Sequence, residues 1–144
     1  MSQNYPYGVG ISNVGSYQVS GIPYATSSIA APSNAGTPTE IVFPDVTQRI
    51  FVSNVNIASP LRVGFSSNGV KGTNYFIIPQ ATSTTDFPTQ EFRVKVSAIY
   101  LLSNTTTPTS ASVFAELSNI GISHLANSGP NGSGNNWSGS VGVG

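Results

Sequence analysis

His124 is the only histidine in this chain of 144 residues, and it is the first side chain to consider for acid–base or nucleophilic chemistry. A Ser-His-Asp arrangement would need it to meet Asp45 or Asp86, but no serine lies in the G-x-S-x-G context that exposes a nucleophile at a sharp turn. The chain has no cysteine, which excludes thiolate nucleophiles, thiolate metal sites and disulfides. The sequence therefore predicts that the protein is not an enzyme.

The five carboxylates are spread singly along the chain, at Glu40, Asp45, Asp86, Glu91 and Glu116. A glycosidase needs two carboxylates that face each other, and a metal centre needs clustered ligands, but this spacing selects neither a pair nor a cluster. Calcium held by one Asp together with loop carbonyls is the alternative that the spacing leaves open. We therefore predict no catalytic residue, no metal ligand and no cofactor, and we expect these charges to lie at rims and turns.

The composition is poor in charge. Charged residues make up only 7% of the chain, and five basic side chains cancel five acidic ones. Ordinary soluble proteins carry about 25% charged residues, so a free monomer of this composition would resist self-association poorly. The composition favours an assembly subunit over a lone soluble enzyme. Because no Lys or Arg cluster is present to neutralise phosphates, we predict no direct binding of nucleic acid.

The sequence indicates neither a membrane span nor secretion. No apolar run approaches about 18 residues, the length at which a membrane span is considered. The first ten residues, MSQNYPYGVG, lack the basic and apolar regions of a signal peptide. We therefore expect synthesis in a cytosol.

The stretch 92–102, FRVKVSAIYLL, shows the strongest period-two pattern of the chain. Arg93, Lys95 and Ser97 fall on one side, as in a half-buried strand, and the other side carries Phe92, Val94, Val96, Ala98, Tyr100 and Leu102. We predict one continuous strand here, and we expect it to form the spine of a sheet. Helix periodicity is nearly absent elsewhere.

Shorter runs predict the remaining strands. They lie at 17–24, 40–43, 47–57, 61–66, 75–78 and 111–117. Residues 25–37 are predicted to form a small-residue linker, and SNGVKGT at 67–73 a hairpin with Lys71 exposed at its tip. The pattern as a whole predicts an all-β fold, an antiparallel β-sandwich formed by a single jelly roll of about eight strands.

Three regions follow from this interpretation. Residues 1–16 are expected to form an extended N-terminal arm, residues 17–122 the jelly-roll domain, and residues 123–144 a Gly/Ser/Asn-rich C-terminal tail. The low complexity of the tail predicts disorder in isolation. Extended arms that order on binding are typical of proteins that assemble.

Six side chains are candidates for a subunit interface. Large aromatic residues in arms are suited to a partner's pocket, and basic residues on the solvent side of a strand are spaced to meet acidic groups of a neighbour. The candidates are Arg93, Lys95, Lys71, Trp137, Tyr5 and Tyr7.

The run RIFVSNVNIASPLRVGFSSNGVKGTNYFIIP, followed by EFRVKVSAIYLL and ASVFAELSNI, carries a resemblance that covers residues 46–120. It resembles the small single-jelly-roll capsid proteins of large icosahedral double-stranded DNA viruses, in particular the penton proteins at the fivefold vertices. The resemblance implies a homopentamer in the capsid vertex of a virion, made in the host cytoplasm. It also implies contacts with neighbouring major and minor capsid proteins, and it carries over no active site.

Two other functions stay open at this point. The chain could be another minor capsid or decoration protein, or it could be a β-sandwich module that recognises a glycan. In the glycan-binding case, sugar rings would stack on aromatic side chains while Asn, Asp and backbone groups bind the hydroxyls. The tyrosines available for this are Tyr5, Tyr7, and Tyr24 or Tyr75.

Overall fold

The computed structural model describes residues 21–132 and 134–144 as an antiparallel β-sandwich with little helix. The strands are β1 (Ile22–Ala31), β2 (Thr39–Val42), β3 (Asp45–Asn54), β4 (Leu61–Gly64), β5 (Phe76–Ile78), β6 (Thr89–Phe92), β7 (Ala98–Ser103) and β8 (Thr109–Gly121). One short helix, α1 (Ser67–Lys71), lies between β4 and β5, and two 3-10 turns follow β8, η1 (Ile122–Leu125) and η2 (Pro130–Gly132). The predicted all-β sandwich is confirmed.

The strands form two four-stranded sheets whose pairing is nested along the chain. The first sheet has the order β1-β8-β3-β6 and the second the order β2-β7-β4-β5. The first strand therefore pairs with the eighth, the second with the seventh, the third with the sixth and the fourth with the fifth. The chain runs like one long hairpin that is folded over into two layers. β1 and β6 are the edges of the first sheet, and β2 and β5 those of the second.

The core lies between the two sheets and is filled by alternate residues of each strand. In β8 the inward residues are Ala111, Val113, Ala115 and Leu117, all of them buried, and Glu116 points outward as the alternation predicted. They pack with inward residues of the other central strands, among them Ile50, Val52, Leu61, Val63, Ile99 and Leu101. A two-layer sandwich thus positions the loops between the strands on its rim.

The prediction of one continuous strand over 92–102 is wrong. β6 ends at Phe92 in the first sheet and β7 begins at Ala98 in the second, so the segment 93–97 crosses from one sheet to the other. The fully buried Thr47, in an irregular part of β3, holds this crossing. Its Oγ1 donates to the carbonyl of Val94 at 2.6 Å and accepts from the N–H of Val96 at 3.2 Å. The crossing also changes which side faces the core, from Val94 and Val96 before it to Ile99 and Leu101 in β7. Alternation alone does not reveal this change, because both sides of the pattern are apolar from Ala98 to Leu102.

Two local predictions also need correction. The sequence SNGVKGT begins with the helix α1 instead of a hairpin, because the Ser66 side chain caps the helix by accepting from the N–H of Gly69 at 2.9 Å. Residues 25–37 are not a linker throughout, since β1 continues to Ala31. Its small residues are held by the backbone ladder to β8, with a register shift between Thr26 and Ile29. Of the predicted strand at 17–24, residues 17–20 lie outside the described residues, and residues 22–24 are the start of β1.

Candidate assembly flank

The C-terminal segment, residues 126–144, folds back onto the sandwich through the side chain of Asn136. This side chain is buried, with 6% of its surface exposed. Its Oδ1 accepts from the N–H of Ser97 at 2.7 Å, and its Nδ2 donates to the carbonyls of Phe65 and Ala98 at 2.9 and 3.0 Å. One amide therefore satisfies three main-chain groups of the sandwich, and the segment has a defined attachment point.

Trp137 continues this attachment. Its ring packs against the main core and against a second cluster formed by Val46, Ile120 and Leu125. The indole N–H donates to the carbonyl of Lys95 at 2.6 Å. Its φ of 64° is in the left-handed region, which bulky residues rarely adopt, so the packing and the hydrogen bond hold a strained backbone. Trp137 therefore packs against its own chain. Its predicted role as an anchor in a partner's pocket stays a prediction.

The last residues of the segment reach helix α1. Ser66 Oγ donates to the carbonyl of Val143 at 2.8 Å. A Cβ on Gly69 would lie 2.0 Å from that same oxygen, so only glycine permits this approach. Disorder was expected because the segment is low in complexity. Low complexity does not indicate whether side chains of the segment form hydrogen bonds with main-chain groups of the sandwich, as Asn136 and Trp137 do.

Three of the six candidate interface residues come together at one groove. Arg93, Lys95 and Trp137 line a groove of about 420 Å³ between the crossing segment 93–97 and the C-terminal segment. The other lining residues are mostly apolar: Phe65, Val94, Val96, Val141, Gly142 and Val143. The side chain of Arg93 is 71% exposed and bonds Glu91 at 3.1 Å, and Glu91 in turn pairs with Arg49 at 3.2 Å.

The other three candidates do not join this groove. Lys71 is exposed at the end of α1, outside the groove lining. Tyr5 and Tyr7 lie outside the described residues. The sequence pattern therefore located the basic pair and the tryptophan, but it could not show that the chain crossing places them side by side.

An aromatic row extends the groove toward the edges of both sheets. Phe65 contacts Phe92 edge-on with ring centroids 6.1 Å apart, and Phe92 contacts Phe76 at 5.6 Å. Phe76 is 47% exposed and its neighbour Ile77 is 42% exposed, on the three-residue edge strand β5. We call the groove and this row the flank. Sequence reasoning missed Phe65 and Phe76 as surface residues, because only the pairing of sheets shows that β5 and β6 end side by side.

No catalytic constellation forms in the part of the chain that the structure describes. His124 is exposed in η1. Arg49 bridges Glu91 and Glu116 at 3.2 and 3.4 Å, which commits these carboxylates to ion pairing. Across residues 21–132 and 134–144 there is no group of three His, Cys, Asp or Glu side chains that could hold a metal. The same residues contain no helix long and apolar enough to cross a membrane.

Comparison of the chain with known proteins identified no relative. No protein-family model matches the chain, and no curated protein or solved structure matches it significantly.

Proposed function

We propose that the chain is a single jelly roll that serves as a structural subunit of an icosahedral viral shell, as the penton protein at the fivefold vertices. The nested pairing of the eight strands carries this proposal. A jelly roll is a two-sheet sandwich made from two Greek keys, and wrapping one long hairpin over itself gives the pairing of first with last and fourth with fifth strand. The resemblance of residues 46–120 to penton proteins supports the viral assignment.

The flank supports an assembly role independently of that resemblance. Phe76, Ile77 and Val141 expose apolar surface next to the short edge strands β5 and β6. Exposed apolar patches and uncovered strand edges mark contact sites between proteins. Arg93 and Lys95 at the rim supply the charge that sets the orientation of a neighbouring subunit. We propose that the flank of one subunit meets another copy, or a neighbouring capsid protein, in the vertex.

The role is tested first by native mass spectrometry of the purified full-length chain. The proposal expects a discrete pentamer at five times 14.9 kDa. A stable trimer or hexamer would contradict the penton role and favour another minor capsid or decoration protein. A chain that stays monomeric at all concentrations and is not incorporated into shells would overturn the assembly function.

A substitution on the flank tests its place in the interface. Phe76→Asp should shift the oligomer toward monomer, because it places a carboxylate on the exposed apolar row. Phe114→Asp is the matched control, since Phe114 is similarly exposed, at 40%, on the outer face of the first sheet. If both variants assembled equally well, or if only Phe114→Asp disrupted the oligomer, the flank would not be the interface.

A further inference from the structure

A second concave surface lies on the outer side of the second sheet. It shares one lining residue, Phe65, with the groove of the flank. Its floor comes from the outward residues of β2 and β7, Glu40, Val42, Ala98 and Tyr100. Its walls are the start of α1, at Ser66, Ser67 and Asn68, and the C-terminal segment, at Asn135, Asn136 and Ser138. The cavity volume is about 390 Å³, within the roughly 300–1,000 Å³ of small-ligand sites.

Glu40 and Tyr100 form the polar centre of this cleft. They are direct cross-strand partners, and the Tyr100 hydroxyl donates to Glu40 Oε2 at 2.7 Å. Burial, together with this hydrogen bond and the carboxylate charge, raises the pKa of Tyr100 to about 12. The phenol therefore stays protonated and keeps donating at neutral pH. A carboxylate accepts through two oxygens, so Glu40 retains capacity to accept hydrogen bonds from a ligand.

The remaining lining combines neutral polar groups with apolar surface. Ser67 and Asn68 are exposed side chains on one wall, and Asn135 is exposed on the other. Val42 and Ile122 line the same cleft and are 53% and 38% exposed. Among the described residues that line the cleft, Glu40 is the one formally charged group, and no Lys, Arg or His is present.

This chemistry selects one class of ligand. Hydroxyl groups are bound by carboxylate, amide and hydroxyl side chains, while the C–H faces of a sugar ring pack on apolar and aromatic surface. Phosphate, sulfate and carboxylate groups would meet the negative charge of Glu40 without a cation to offset it. We propose that this cleft binds a neutral saccharide, with Glu40 accepting its hydroxyl groups. This site does not depend on the penton role.

The proposed saccharide site does not contain Tyr24 or Tyr75, which the sequence offered for stacking on a sugar ring. Tyr24 packs edge-on against the core residue Phe43 at 5.2 Å between ring centroids. Tyr75 lies under the guanidinium of Arg62, 4.3 Å from its ring centroid. Neither lines the cleft, which instead takes its aromatic surface from Tyr100 and Phe65.

The test uses the folded full-length chain on an array of neutral, sialylated and sulfated glycans, followed by ligand-observed NMR titration of the hits. We expect binding to neutral glycans and none to the anionic sets. Glu40→Gln should weaken binding about tenfold, because a neutral amide oxygen replaces the charged acceptor and hydrogen bonds to a charged acceptor are the stronger ones. Asn68→Ala, on the exposed wall, should weaken binding without changing the fold.

The matched control is Glu116→Gln, which removes a carboxylate from the outer face of the first sheet. It should leave glycan binding unchanged. The proposal is overturned if the folded chain binds no neutral glycan, if it prefers anionic glycans, or if Glu40→Gln and Asn68→Ala both bind as the unchanged chain does. Native mass spectrometry on the same samples measures the oligomeric state independently. A failure of saccharide binding can therefore be distinguished from a failure to form the pentamer.

Discussion

Replacing Asn136 should detach the C-terminal segment from the sandwich. Asn136→Ala removes three hydrogen bonds and leaves the N–H of Ser97 and the carbonyls of Phe65 and Ala98 without their partner. Each buried polar group left unsatisfied costs about 1–3 kcal/mol. The sum overestimates the loss, because the segment can lift and admit water, so we expect the free energy of unfolding to fall by about 2–4 kcal/mol.

Trp137 provides the assay, because it is the only tryptophan and lies next to the substituted residue. Urea unfolding followed by tryptophan fluorescence reports on the segment, and circular dichroism reports on the sheets. With a slope of about 2 kcal/mol per molar urea, the fluorescence midpoint should fall by about 1–2 M. Quenching of Trp137 by acrylamide in the absence of urea should increase.

Asn136→Asp separates hydrogen bonding from loss of volume. The carboxylate can still accept from the N–H of Ser97, but it faces the carbonyl oxygens of Phe65 and Ala98, which repel it. We expect this variant to be less stable than Asn136→Ala at pH 7. Its stability should rise as the pH falls, because the protonated acid can again donate.

Asn119→Ala, at an exposed position of β8, is the control and should change the stability by less than about 0.5 kcal/mol. An Asn136→Ala variant with unchanged fluorescence midpoint and quenching would refute this account of the segment.

Three further outcomes are expected. Thr47→Val keeps the shape of a fully buried side chain but removes two hydrogen bonds, and it should cost about 2–3 kcal/mol in urea unfolding, against less than about 1 kcal/mol for Thr39→Val, where one hydrogen bond at a half-buried position is removed. Gly69→Ala places a Cβ against a carbonyl of the C-terminal segment, and hydrogen exchange of that segment should become faster. In a titration followed by tyrosinate absorbance, Tyr100 should ionise at a pKa of about 12, and Glu40→Gln should move this pKa toward the ordinary 10.0. Because the pKa of Tyr100 is higher in the folded than in the unfolded chain, its contribution to stability is complete below about pH 10 and is lost between about pH 10 and pH 12.

The strands that face water on one side could be predicted from the sequence. In β8, the buried Ala111, Val113, Ala115 and Leu117 alternate with Ser112, Phe114 and Glu116, and the alternation indicates both the strand and its buried face. β4 was predicted from the same kind of alternation, and β2 from a short apolar run that ends at Pro44. Only the start of β1, at 22–24, lies within a predicted strand. The rest, at 25–31, was missed because its small residues carry little hydrophobic signal, and its position is set by backbone pairing with β8.

Features that depend on contacts between distant residues could not be predicted. The crossing at 93–97 depends on Thr47, which is more than forty positions away and has no distinguishing sequence context. The attachment of the C-terminal segment depends on Asn136, one of several asparagines in a low-complexity region. A side chain that bonds to main-chain groups leaves no pattern in its partners, because every residue has an N–H or a carbonyl to offer.

The placement of the C-terminal segment limits which surface can serve in assembly. Helix α1, with Val70 fully buried, and the C-terminal segment cover part of the outer face of the second sheet. On the first sheet, Arg49 binds Glu91 and Glu116, so the charges of that face are already paired with one another. The flank combines the exposed apolar side chains of Phe76, Ile77 and Val141 with the short edge strands β5 and β6. If the flank is the interface we propose, a neighbouring subunit would bury Phe76, Ile77 and Val141 there without separating Arg49 from Glu91 and Glu116.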